Sequence, residues 1–273
     1  VTASTAVRSA RRTPFAKYRH SLWLLTKRDL SVRYTTNALG YVWSILDPLL
    51  MSLIYFFVFV VVFHRKDKAN EDPYIVYLMA GLLAWTWFNS AITDAARVFS
   101  KEAKLVRSVA LPRSLWVARI VLSKGIEYVA SLAVLAVFAV IYHAPLHLTA
   151  VWFPVGLVLQ AILVYGLGLI VAPLTVFFKD LERAIRLVLR LLFYASAVLY
   201  SPLQWPDTLH GFPVRRILEL NPLTGIMSLY RAAFWPQELD LHRVLVSAVG
   251  ALIVLGIGLL VFRRSVPAVL KEM

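Results

Sequence analysis

The chain contains no cysteine among its 273 residues. That excludes a disulfide frame and any thiolate metal site, while leaving the redox compartment open. No glycine is followed by lysine, so the phosphate-cradling loop G-x-x-x-x-G-K-[ST] is absent. There is no H-E-x-x-H, and no serine stands in a G-x-S-x-G turn. The six histidines are scattered; His143 and His147 are four apart but straddle Pro145, a poor metal pair. Carboxylates are scarce, 15 against 29 Lys and Arg. Together these absences exclude an ATP-hydrolysing centre, a zinc hydrolase and an evident nucleophilic enzyme within this sequence. Residues 1–20 have no apolar run ahead of a small-residue site, so no cleavable leader is expected.

What is present is apolar. Hydrophobic residues make up 60% of the chain, and mean hydropathy is +0.71. Soluble domains of this length are nearer half apolar, so an all-α polytopic membrane protein is predicted. Residues 1–14 read as a basic tail. Residues 15–36 read as an amphipathic helix lying in the membrane interface, or packed on a soluble partner. Its apolar face is Phe15, Tyr18, Leu22, Leu25 and Val32, opposite Lys17, His20, Lys27 and Arg28. Residues 37–273 form one membrane domain. Six transmembrane helices are predicted at about 43–63, 74–92, 115–142, 151–177, 184–200 and 244–262, the fourth interrupted at Pro173. Residues 201–242 hold five prolines among aromatics. They are expected as two short re-entrant helices, around Leu203–His210 and Pro222–Trp235, or as a compact surface cap.

The charge sorts by side. Segments 1–42, 94–114, 179–190 and 263–273 hold 8, 5, 4 and 3 Lys or Arg, twenty together. The alternating segments 64–73, 143–150 and 201–242 hold six. The positive-inside rule then places both termini in the cytosol. The net charge of +14 is mostly a topology signal, and nucleic acid is not needed to explain it.

Ionisable residues within spans are functional candidates because they are costly there. Arg119, Lys124 and Glu127 lie in the cytosolic half of the third span. Snorkelling and a Lys124–Glu127 pair account for them, with a polar path as the alternative. Asp47 fits the start of a helix. Tyr55, Phe56, Phe59, Phe193, Tyr194 and Tyr200 are aromatics that either pack or line a glycan path. Residues 95–107 form a polar helix between the second and third spans. Val98, Phe99, Glu102 and Val106 on it are expected to dock a soluble partner or to lie on lipid.

The run RDLSVRYTTNALGYVWSILDPLL, residues 28–50, resembles the first segment of ABC-2 type permeases that export polysaccharides. Arg28, Asp29, Arg33, Tyr34, Leu39, Gly40, Trp43 and Pro48 carry the likeness; Asn37 and Asp47 depart from it. Leu111-Pro112-Arg113, Phe177-Phe178-Lys179-Asp180, Asn221-Pro222-Leu223 and Tyr230-Arg231 resemble later family elements in the same order.

The resemblance implies a homodimer working with two copies of a separate ABC ATPase subunit. This chain would bind no cofactor, ATP and Mg being held on that subunit. It implies a cytosolic coupling helix through Val98, Phe99, Lys101, Glu102, Leu105, Val106 and Arg107. It implies periplasmic gate helices involving Pro202, Trp205, Asn221, Pro222, Tyr230 and Arg231. The cargo would be a polyprenyl-pyrophosphate-linked cell-envelope polysaccharide, a galactan among the candidates. Arg28 and Arg33 are candidate contacts for its pyrophosphate by charge. A small-molecule exporter of the same architecture, or a membrane transferase acting on lipid-linked sugars, is the alternative.

Overall fold

A computed structural model describes residues 14–35, 40–62, 73–109, 111–206, 208, 211 and 213–272. The expected N-terminal tail and the charged loop at 64–73 fall almost wholly outside these residues. Among the described residues the chain is helical and has no strand. The helices are α1 (Pro14–Thr35), α2 (Gly40–Phe56), α3 (Tyr74–Lys101), α4 (Ala103–Ser108) and α5 (Ser114–Ile141). They continue with α6 (Phe153–Phe177), α7 (Leu181–Ala195), α8 (Val214–Glu219), α9 (Pro222–Arg231) and α10 (Leu241–Glu272).

α3 is the central post. It is apolar on every side between Tyr74 and Trp85, and all twelve of those residues are buried. A helix without a polar face must be surrounded. α2, α5, α6, α7 and α9 surround this one. α6 and α10 form the most extensive helix pair. Gly166 and Gly258 meet there, and a Cβ on Gly258 would collide with the Gly166 carbonyl oxygen. Small residues at such crossings let backbones approach, which is how apolar helices gain packing where water supplies no driving force.

Among the described residues four helices are long and apolar enough to cross a membrane: Tyr74–Lys101, Ser114–Ile141, Leu148–Phe177 and Leu241–Val269. The protein is therefore an integral membrane protein. The third and fourth predicted spans match α5 and α6 closely, except that Pro173 lies inside α6 without ending it. The first predicted span corresponds to α2 and a π turn at Phe57–Val62. The fifth is shorter than predicted. α7 has 15 residues, stops at Ala195 and carries Arg183, Arg186 and Arg190. At 1.5 Å per residue that is about 22 Å, less than a ~30 Å hydrocarbon core.

Two further differences have physical causes. The helix expected separately at 95–107 is mostly the end of α3, because no glycine or proline separates Ile92 from Lys101. The break falls at Glu102 (φ −116°, ψ 24°), and α4 is only six residues long. Of the two short helices expected after Tyr200, the second is α9, whereas the first is a 3₁₀ turn at Pro202–Gln204. α8, between them, was not anticipated.

α1 packs on α5 and α2. Its inward face runs through Leu22, Leu25, Thr26 and Asp29, while Val32, expected on that face, is exposed.

Candidate functional site

Two polar clusters stand at opposite ends of α3. The first, at the end where α3 stops, is built on Arg119. This side chain comes from α5 and is 2% exposed. Arg119 Nη1 donates to Asp29 Oδ1 of α1 at 2.6 Å, and Nη2 donates to Glu102 Oε1. The guanidinium also lies 4.9 Å from the Trp116 ring centroid. One cation thus joins α1, α5 and the break between α3 and α4. Arg119 Nε and Glu102 Oε2 are buried without a partner among the described residues. Further along α5, Lys124 Nζ lies 3.0 Å from Glu127, the pair predicted from sequence, and 3.7 Å from Asp94 of α3.

The proposed coupling residues divide around this cluster. Val98, Phe99 and Val106 are buried in the chain's own core, where Phe99 packs 6.2 Å from Phe262. A face presented to a partner cannot include them in this arrangement. Lys101, Lys104 and Arg107 are exposed, and Leu105 is half-buried. Glu102 is taken up by Arg119. Arg28 is exposed on α1. The side chain of Arg33 lies outside the described residues.

The second cluster is built on Arg231, at the end of α9 and fully buried. Its Nη1 donates to Ala197 O at 2.7 Å and to the Tyr77 hydroxyl at 2.9 Å. Nη2 donates to Val198 O at 2.5 Å. The guanidinium sits 3.8 Å from the Tyr77 ring centroid. Tyr77 in turn donates to Glu238 Oε1 at 3.1 Å, and Ser201 Oγ donates to the same oxygen. The carbonyls that Arg231 holds belong to the bend after α7, where Ala197 takes a left-handed φ of 52°. Tyr74 secures the same bend by donating to Leu199 O at 2.8 Å.

Asn221 and Pro222 open α9 as their residue types require. The Asn221 side chain accepts from Leu223 N at 3.0 Å as an N-cap, and Pro222 takes the first helical position. Its amide nitrogen donates to Ser196 Oγ at 2.8 Å. The Tyr230 hydroxyl donates to Gln160 Oε1 at 2.8 Å, and Gln160 Nε2 donates to Ala84 O. Pro202 and Trp205 are buried, Trp205 lying 6.2 Å from Tyr200. All six residues singled out for the gate therefore meet in one region.

The aromatics partly gather. Tyr55 lies 5.9 Å from Phe193, which lies 5.4 Å from Trp85 and 5.1 Å from Tyr194. Phe56 is half-buried against the core, and Tyr200 Oη donates to Tyr194 O. Phe59's side chain is outside the described residues. Sequence reasoning passed over Tyr77, Gly81, Gln160 and Glu238, and it treated Arg119 as a snorkelling residue. A charged side chain deep in an apolar span was the available signal for Arg119. The others read as ordinary core or loop positions.

An apolar helical bundle held by two buried arginine networks, with several helices long enough to cross a membrane, defines a polytopic membrane protein. The chain matches the ABC-2 type transporter family over residues 20–235, and it belongs to that family. It is similar to an O-antigen export system permease protein RfbA of Klebsiella pneumoniae, 30% identical over 244 residues, which cover 89% of this chain and 91% of that protein. A Myxococcus xanthus RfbA of the same description is 31% identical, covering 82% and 83%. The polysialic acid transport protein KpsM of Escherichia coli is 25% identical, covering 96% and 99%. The chain is thus an ABC-2 type permease subunit of the polysaccharide-export kind, a transporter component and not itself an enzyme.

Proposed function

We propose that this chain is the membrane half of an exporter that carries a polyprenyl-pyrophosphate-linked cell-envelope polysaccharide out of the cytosol. It works as a homodimer with two copies of the ATPase, which hold ATP and Mg. The export of O-antigen and capsule polysaccharide by its relatives supports a polysaccharide cargo, and the charge distribution supports cytosolic termini with six crossings, α2 and α7 included. Arg28 and Arg33 meet the pyrophosphate. Tyr55, Phe56, Phe59, Phe193, Tyr194 and Tyr200 line the glycan path. Lys101, Leu105 and Arg107 face the ATPase, while Val98, Phe99, Glu102 and Val106 tie that element to the bundle. Pro202, Trp205, Asn221, Pro222, Tyr230 and Arg231 hold the far end closed.

The observation that carries the coupling is Arg119 bridging Asp29 and Glu102. A push on α4 is felt at Glu102, and through Arg119 it reaches α1 at the residue beside Arg28. From Lys101 to Tyr77, α3 runs without interruption for about 36 Å, so the same push reaches the Arg231 cluster through a single helix.

Reconstitution with the ATPase in proteoliposomes tests the reading. Lipid-linked polysaccharide is expected to raise ATP hydrolysis and to appear on the far side of the membrane. Stimulation by small amphiphiles, with no response to the glycolipid, would sink it.

A further inference from the structure

Two cavities adjoin on the outer side of the bundle, away from both arginine clusters. The larger, about 800 Å³, is a groove between α1, α5 and α6. Its walls are apolar, with Leu22, Val121, Ile126, Val158 and Ile162 among them. Val129 and Val158 on its walls are more than half exposed. The smaller, about 360 Å³, lies between the start of α5 and the stretch of α10 from Leu259 to Pro267. Arg113, Ser114 and Arg263 line it, and no carboxylate does. Tyr165 lines both cavities, and its hydroxyl interacts with Ser114 and Tyr18.

An apolar trough leading to two cations, with a row of hydroxyls at the junction, has the polarity of an amphiphile with an anionic head. Arg113 donates through Nη1 to Val109 O at 2.8 Å and Leu111 O at 3.1 Å, so its guanidinium is held in place at the pocket. Arg263 is exposed. The first residues of α5 also line the pocket, and a helix N-terminus favours negative charge. Length selects the kind of amphiphile. The groove follows α5 from Ala118 to Ala130, about 18 Å at 1.5 Å per residue, close to the ~15 Å of one leaflet's hydrocarbon. That suits the acyl chains of a single-leaflet phospholipid and is short for a long polyprenyl chain.

We infer that this is a binding site for an anionic phospholipid of the leaflet in which α5 begins, with its phosphate between Arg113 and Arg263 and its tails along α5 and α6. The site is separate from the transport path and does not depend on which cargo is exported. By filling the space between α1 and α5 the lipid would steady the helix that carries Asp29.

The test uses the full chain in complex with its ATPase, delipidated in detergent and equilibrated with defined lipids before native mass spectrometry. Phosphatidylglycerol is expected to be retained over phosphatidylcholine. In the Arg113→Gln/Arg263→Gln double variant that preference should fall by roughly tenfold or more, from the loss of two surface charges. Arg263→Gln alone, at an exposed position, should lower it in the same direction and guards against misfolding of the double variant. Val158→Trp, which fills the groove, should lower retention of both lipids. Equal retention of the two lipids by the unaltered protein would overturn the site, as would an unchanged preference in both Arg variants. Displacement of phosphatidylglycerol by polyprenyl phosphate would assign the groove to cargo and overturn it too. So would competition by inorganic phosphate alone, or a disulfide-linked pair of chains from Val158→Cys.

Discussion

Gly81 and Arg231 share one space: a Cβ on Gly81 would stand 2.5 Å from Arg231 Nη2 and 2.6 Å from Val198 O. The glycine is what lets a guanidinium lie flat against α3. Gly81→Ala is expected to push the guanidinium off its carbonyls and cost about 1–3 kcal/mol by overpacking. Arg231→Met leaves the buried Ala197 and Val198 carbonyls without the guanidinium and removes the positive charge that Tyr77 links to Glu238, and should cost more, about 3–5 kcal/mol. Arg231→Lys should not rescue it, since one ammonium cannot reproduce the fork. Thermal unfolding in detergent, followed for all three variants, checks this order.

Arg119 is the comparable point at the other end. Arg119→Leu takes the shared cation away from Asp29 and Glu102 and is expected to destabilise by about 3–5 kcal/mol. Asp29→Asn with Glu102→Gln should lose less, because the remaining groups can still hydrogen-bond the guanidinium. Both variants should bind the ATPase but lose its stimulation by substrate. ATP hydrolysis measured with and without glycolipid separates loss of coupling from loss of assembly. Full stimulation in the folded double variant would remove Arg119 from the coupling route.

The α6–α10 contact makes a sharper packing prediction. A Cβ on Gly166 would stand 2.7 Å from Leu255 N. Backbone atoms cannot swing aside as a side-chain end can. Gly166→Ala is therefore expected to separate the helices and lower stability by about 1–3 kcal/mol or more. Gly256→Ala, with open space around it, should be nearly silent. Equal melting temperatures for the two variants would contradict the close crossing.

Asp240 gives a pH prediction. Burial by itself would raise its carboxyl, but the hydrogen bond and charge of Arg243 outweigh that, helped by the His242 and Arg243 backbone N–H groups. The folded value is therefore lowered. Its contribution is fully present above the ordinary carboxylate value of about 3.9. It fades as pH falls through the still lower folded value. Hydrogen exchange in the first turn of α10 should speed up across that acid window. In Asp240→Asn the exchange should be faster at neutral pH and lack that transition.

Much of the architecture was legible because membrane burial writes itself into composition. An apolar run long enough to cross lipid must be helical, since no water is present to satisfy its backbone. That reasoning located α5 and α6 nearly to the residue. It also placed a helix from residue 15 and another from Pro222, where local chemistry decides the outcome. It misjudged the junction between the second span and the polar helix that follows. Nothing local stops α3 between Ile92 and Lys101; the break falls where Glu102 meets Arg119.

The sequence by itself therefore determined the class, the helical spans, the sorting of positive charge and the family signature around residues 28–50. It could not determine that Asp29, Glu102 and Arg119 form one cluster, or that Tyr77, Arg231 and Glu238 form another. The bonded pairs among these residues lie 17 to 161 positions apart in the chain. Helical periodicity reports only which face a residue occupies, not which helix comes to meet it. That was decided by packing: the close crossing at Gly166 and Gly258 sets α6 against α10, and the space at Gly81 lets Arg231 reach the carbonyls it holds.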